Sequence, residues 1–102
     1  MKIVWSQPAL NDLENIRAYI ARDSDFYATR FLQRLIQSVD CLESLPLAGR
    51  KVPEVSSESI REILFRNYRI VYRISNERVD VLAVIHGARD LGNWEKKPWE
   101  VE

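Results

Sequence analysis

A chain of 102 residues with one cysteine and one histidine has little from which to build disulfide or metal chemistry. Cys41 cannot form an internal disulfide, and one Cys with one His cannot complete a zinc site. No carboxylate cluster at ligand spacing stands in for them, so neither a metal nor another cofactor is expected. No basic neighbour is placed to lower the Cys41 thiol pKa, and a small buried or half-buried helix residue is the expected role. Long apolar runs are missing too. Nothing approaches the roughly 18 to 20 residues that cross a bilayer, and no basic leader precedes an apolar stretch. The expectation is a cytoplasmic protein without a membrane partner. Net charge is also absent, with 15 Lys and Arg against 15 Asp and Glu and a pI near 6.6. Affinity for nucleic acid comes largely from neutralised phosphates, so this balance disfavours a broad RNA or DNA footprint.

What is present is an ordinary globular composition, 46% apolar and 29% charged, enough for one domain with a single two-layer core. Lys2 to Trp5 leans towards strand. Ser6 then stands as a capping hydroxyl before Gln7, Pro8 and Ala9, and a helix should start there and run to about Ala21. Its buried stripe is Ala9, Leu13, Ile16 and Ile20, with Leu10 and Tyr19 at the edges and Asn11, Asp12, Glu14, Asn15 and Arg17 facing outward. Asp23 or Ser24 can cap a second, longer helix, in which Ala28, Phe31, Leu32, Leu35, Val39, Leu42 and Leu45 keep the helical period up to Pro46. So short a turn makes the two helices an antiparallel hairpin. The segment PLAGRKVPEVSSE, 46–58, is irregular: Gly49 is expected to permit a left-handed turn, and Pro53 keeps Lys51 to Val55 out of a central strand while leaving an edge position open.

The run from Ile60 to Asp90 carries most of the functional information. Ile60 to Phe65, Tyr68 to Ile74 and Val79 to His86 read as three strands of an antiparallel meander, turned at Arg66-Asn67 and at Ser75 to Arg78. In the middle strand Tyr68, Ile70, Tyr72 and Ile74 point one way, and Arg69, Val71 and Arg73 the other. The helical hairpin should cover the first face. The second is expected to be open and cationic, because the window holds six arginines against four acids. Arginine presents a planar fork suited to phosphate or carboxylate; the alternative is that these arginines simply keep an open sheet face wet. Leu91 to Trp94 could make one helical turn, and Lys96 to Glu102 reads as a tail.

In this order the motifs ALNDLENIRAYI, LPLAGRKVPE, IREI, YRIVYRI and HGARD resemble the RelE/ParE superfamily of bacterial type II toxins, and closer to the ParE-like branch. The resemblance covers nearly the whole chain. It implies an α+β domain of order β-α-α-β-β-β over residues 1–94, with a tail over 95–102 and the first strand in the same sheet. It also implies a plasmid or chromosomal toxin, neutralised by a cognate antitoxin with which it can form a hetero-oligomer. Members of one branch cut mRNA in the ribosomal A site. The other branch poisons DNA gyrase without nuclease chemistry.

If the nuclease pattern holds, the resemblance places Arg61, Arg69 and Arg89 as phosphate-clamping residues. Arginine stays protonated and so cannot take a proton from a ribose hydroxyl, which leaves His86 as the one side chain with an unperturbed pKa near neutrality. Alternation puts His86 on the face of Leu82 and Val84. The family's strand lysine falls on Ile63 or Glu62 here, and its tail tyrosine near Glu95, with Trp94 the nearest aromatic. The gyrase reading asks for less. It implies a protein-binding surface made of Arg69, Arg73, Arg89 and Trp94, and it is the function expected here, with ribosome-dependent endoribonuclease as the alternative.

Overall fold

The structure is a computed structural model that describes residues 1–87. Strand β1, Lys2–Trp5, leads into Ser6, whose hydroxyl accepts the Ala9 N–H at 3.2 Å and starts helix α1, Gln7–Ala21. Ser24, of the two candidate caps, does the same for α2, Asp25–Asp40, accepting from Tyr27 N–H at 3.1 Å. Each hydroxyl satisfies an amide that the helix itself cannot. The buried positions of the two helices are Ala9, Leu13 and Ile16, then Ala28, Phe31, Leu35 and Val39, as their spacing predicts. The second stripe ends early. After Asp40 the chain tightens into a 3-10 turn, Cys41–Glu43, which buries Leu42 and turns Leu45 out to 61% exposure. Pro46 contributes, because the residue before a proline avoids the helical conformation. Cys41, expected inside, is exposed, with its thiol donating to the Ser38 carbonyl.

The sheet has β2 (Arg50–Lys51), β3 (Ile60–Phe65), β4 (Tyr68–Ser75) and β5 (Arg78–His86), in the spatial order β1-β5-β4-β3-β2. β3, β4 and β5 form the antiparallel meander, β1 joins β5 in parallel, and β2 supplies the short edge strand that Pro53 left open. The fold is therefore the expected α+β arrangement with one two-residue strand added. Both tight turns begin with a left-handed residue, Arg66 at φ 54 and Asn76 at φ 53.

The helices cover one face. Phe31, Leu35, Leu13 and Ile16 pack on Ile70, Tyr72, Val79, Val81 and Val84, with Tyr68, Ile63, Phe65, Ile3 and Trp5 around them. The opposite face was expected open and is not. Val52, Ile60, Val71, Leu82, Ala83 and Ile85 form a second apolar cluster there, with Val55 against it. Val52 and Val55 come from the irregular segment, which folds back over the sheet instead of merely crossing to it.

A bulge explains how β5 serves both clusters. Val71 pairs with Ala83 while Tyr72 pairs with Val81, so Leu82 is an extra residue and the alternation slips by one. Val81 and Val84 both face the helices, and Leu82, Ala83 and Ile85 face away. β1 reaches only as far as Val81 along the outer edge of β5. Beyond it, the Ser6 hydroxyl donates to the Leu82 carbonyl at 3.2 Å, and the Asp12 carboxylate accepts the Val84 N–H at 2.9 Å. Asp12, expected to face solvent, thus closes an edge that would otherwise offer free backbone groups to another strand.

Tyr72 is fully buried and pegs the irregular segment to the sheet: its hydroxyl donates to the Pro46 carbonyl at 2.7 Å and accepts the Gly49 N–H at 3.0 Å. Gly49 is needed for this approach and not for a left-handed turn, since no described glycine has positive φ. A Cβ there would lie 2.5 Å from the Tyr72 hydroxyl and 2.6 Å from the Glu62 carbonyl oxygen. Backbone cannot step aside as a flexible side chain can. Gly49→Ala is expected to cost about 1–3 kcal/mol, read as a lower urea midpoint at unchanged slope; an unaltered midpoint would mean the loop yields freely.

Candidate functional site

The arginines of the meander part company. β3 and β4 pair as Ile60 with Arg73, Arg61 with Tyr72, Glu62 with Val71 and Leu64 with Arg69. Residues directly opposite share a face, so Arg61 lies on the helix side with Tyr72, and Arg69 and Arg73 lie on the other. The expected clamp of Arg61 with Arg69 is therefore not assembled. Arg61 instead donates through Nη1 to the Gly49 carbonyl at 2.9 Å and through Nε to the Glu58 carbonyl at 3.2 Å. Arg73, half-buried, stands across from Asp80. Arg89 and Trp94, the turn expected at Leu91 to Trp94 and the tail 95–102 lie outside the described residues.

Arg69 is the larger correction. It was expected on an open face, yet it is only 5% exposed. Its Nε donates to Glu62 Oε1 at 2.7 Å, and Nη1 and Nη2 donate to the two Glu54 oxygens at 2.9 and 2.8 Å. Glu62 is fully buried, and its second oxygen takes Nε of Arg50 at 2.7 Å. Two guanidinium groups thus meet two carboxylates. Hydrogen bonds to Glu54 first, and then to Glu62, hold the Arg69 guanidinium protonated more firmly than an ordinary arginine, against the opposing effect of burial. Every buried side-chain polar atom among the described residues has a partner, so the network meets the condition on which buried charge is tolerated.

The network opens into a depression of about 450 Å³ lined by Arg50, Pro53, Glu54, Leu64, Arg66, Asn67, Tyr68, Arg69, His86 and Gly87. His86 pairs across from Tyr68 on the helix-facing side, together with Val84 but not with Leu82, because of the bulge. It is exposed at the strand end, with the Tyr68 ring edge-on to it at 5.8 Å between centroids. His86 and Arg69 therefore border one depression from opposite faces of the sheet. Burial, with a smaller push from Tyr19, raises the Tyr68 pKa, and burial raises that of Tyr72. Lys51 lowers that of Glu58. Among the described residues no group of three His, Cys, Asp or Glu side chains could hold a metal ion.

Glu54, Glu62, Arg50 and Arg66 were not expected from the sequence as site residues. A signal for Glu62 existed. Once the two-residue turn Arg66-Asn67 fixes Phe65 opposite Tyr68, counting back puts Glu62 across from Val71, diagonal to Arg69 and on its face. Glu54 had no such signal, since it sits in a segment without periodicity.

The helical hairpin on a five-stranded sheet defines the class. A solved structure described as the chromosomal ParDE TA system from P. aeruginosa superposes with a TM-score of 0.71 at 20% identity, covering 84% of this chain and 95% of that one. That likeness establishes the RelE/ParE type of fold. Residues 3–91 match the sequence model of the family described as "ParE toxin of type II toxin-antitoxin system, parDE", and the chain belongs to that family. Among its relatives are the "Putative toxin Y4kP" of Sinorhizobium fredii, 37% identical over 83% of this chain and 86% of the relative. "Toxin RelE2" of Caulobacter vibrioides is 33% identical over 86% and 97% respectively. The protein is a toxin of a type II toxin-antitoxin system, and membership of such a system implies a cognate antitoxin.

Proposed function

We propose that this toxin acts in the cytoplasm by binding and poisoning DNA gyrase and is neutralised by its cognate antitoxin. The observation that carries the reading is the state of Arg69, the strand arginine that a phosphate-cleaving site would need. It is internal and already holds two carboxylates, while Arg61 lies on the other face of the sheet. Exposed aromatic side chains support binding to another protein instead. Tyr19, Phe26 and Tyr27 on the helical hairpin are 66%, 73% and 53% exposed, and Arg22 and Arg30 stand over the Tyr19 and Phe26 rings. Aromatic area interleaved with guanidinium suits an amphipathic, acidic antitoxin segment.

A second reading, ribosome-dependent mRNA cleavage, has behind it the shared depression of His86, Arg66 and Arg69 and the relative named Toxin RelE2. One pair of assays separates the two. With purified gyrase, supercoiled DNA and ATP, added toxin is expected to accumulate protein-linked cleaved DNA while cell-free translation continues. Arrest of translation with cleaved mRNA, and gyrase left unaffected, would overturn the proposal.

A further inference from the structure

We propose that the outer edge of β1 is a surface through which two copies of this chain pair, joining their five-stranded sheets into one. β1 stands at one end of the strand order. Lys2 N–H donates to the Glu77 carbonyl at 3.2 Å, and Ser6 N–H to the Val81 carbonyl at 3.0 Å. Backbone groups alternate in direction along a strand, so those of Lys2, Val4 and Ser6 face β5 and those of Ile3 and Trp5 face out. Among the described residues no strand takes them up.

Two other edge stretches are guarded. β2 is two cationic residues long, with Pro53 soon after it, and the Ser6 hydroxyl and Asp12 carboxylate bond the part of β5 that β1 does not reach. Short, charged or covered edges are how a protein discourages strand addition. Ile3 to Trp5 carries none of these devices. The stretch is also fixed at both ends, since the Met1 amino group donates to the Glu43 carbonyl at 2.6 Å and Ser6 caps α1. An edge ordered in advance loses little freedom on pairing.

The occupant that matches this edge is the same edge turned about a twofold axis. An antiparallel copy centred on Val4 sets Ile3 of each chain against Trp5 of the other, and each such pair exchanges both its N–H and C=O groups. Directly opposed residues share a face. Ile3 and Trp5 lie at the margin of the helix-side cluster, so a β-branched side chain meets an aromatic one there, and Val4 meets its own counterpart on the other face. Lys2, the one charge in the strand, falls beside Ser6 of the other copy and not beside a second lysine. Both helical layers come to lie on the same side of the joined sheet. So short a pairing covers less than the roughly 1,200 Å² at which stable interfaces begin, which sets a weak, reversible dimer with a dissociation constant on the order of 10–100 µM.

Sedimentation equilibrium of the full chain tests this, and the gyrase assay is independent of it. The average mass is expected to rise from 12.0 kDa towards twice that value as the concentration passes through this range. Val4→Lys is the diagnostic variant. Within one chain the new lysine lies beside Asp80, the β5 residue paired with position 4, so the monomer tolerates it. Across the twofold axis two lysines stand face to face, and association should weaken at least about five-fold. Mixing Val4→Lys with Val4→Glu should restore a mixed dimer that neither variant forms alone, which a merely destabilising change would not do. Ile3→Pro removes an amide hydrogen that points outward, as proline at an edge allows, and should abolish association; if it does not fold, the Val4 pair carries the test. A chain monomeric throughout, or a dimer indifferent to Val4→Lys, overturns the proposal. So does a monomer in which Ile3→Pro instead weakens antitoxin binding, because the edge would then belong to the antitoxin.

Discussion

Glu62→Ala is expected to destabilise the protein by about 3–5 kcal/mol, the cost of removing one partner from a buried ion pair and leaving the other uncompensated. Glu62 has no exposure to water and receives Nε of both Arg50 and Arg69 at 2.7 Å. Arg50 reaches solvent and can be rehydrated. Arg69 cannot, although Glu54 would still hold its outer nitrogens. A domain of this size has a total stability of roughly 5–15 kcal/mol, so the melting temperature should fall by well over about 10 °C. The double variant Glu62→Leu with Arg69→Leu separates charge from packing. It removes the buried charges together beside Val71, and most of the lost stability should return. A double variant as unstable as Glu62→Ala would mean that shape at Glu62, and not its charge, holds β3 to β4.

Phe31→Ala should cost a similar amount, about 3–5 kcal/mol, for an unrelated reason. Phe31 is the α2 side chain that meets the β3–β4 turn: its ring stands edge-on to Phe65 at 5.4 Å and to Tyr68 at 5.9 Å, with Tyr27 at 6.2 Å on its outer side. Truncation loses the buried area, the ring contacts and the filled volume at once. Phe26→Ala, five positions earlier on the same helix, is the control. That ring is mostly in water beneath Arg30, and the change should stay within about 0.5 kcal/mol. Urea denaturation followed by circular dichroism measures both, and equal effects would contradict the assigned layering.

The helical layer was legible because its signals are local. Ser6, and then Asp23 or Ser24, announce the helix starts, and Ala9, Leu13 and Ile16 return every three or four residues whatever they pack against. The direction of Tyr72 and Ile70 was legible for the same reason. What covers the other face was not. Alternation says that Arg69 and Val71 point away from the helices, but Val52 and Val55 arrive there from a turn that obeys no period. Arg69 therefore read as solvated when it is enclosed. The slip of His86 relative to Leu82 belongs to the same class, since one extra residue at a bulge changes no residue type and leaves the apolar run Val81 to Ile85 looking unbroken.

The parallel pairing of β1 with β5 imposes an order in time. Lys2 to Trp5 lie against Arg78 to Val81, and Asp12 and Ser6 bond backbone 72 and 76 positions further along. A ribosome adding roughly 5–20 residues per second releases the first strand and both helices several seconds before the strand that seats them. The sheet closes only once β5 has been made. A nascent chain thus carries the aromatic surface of its helical hairpin before the strand that completes the toxin body exists.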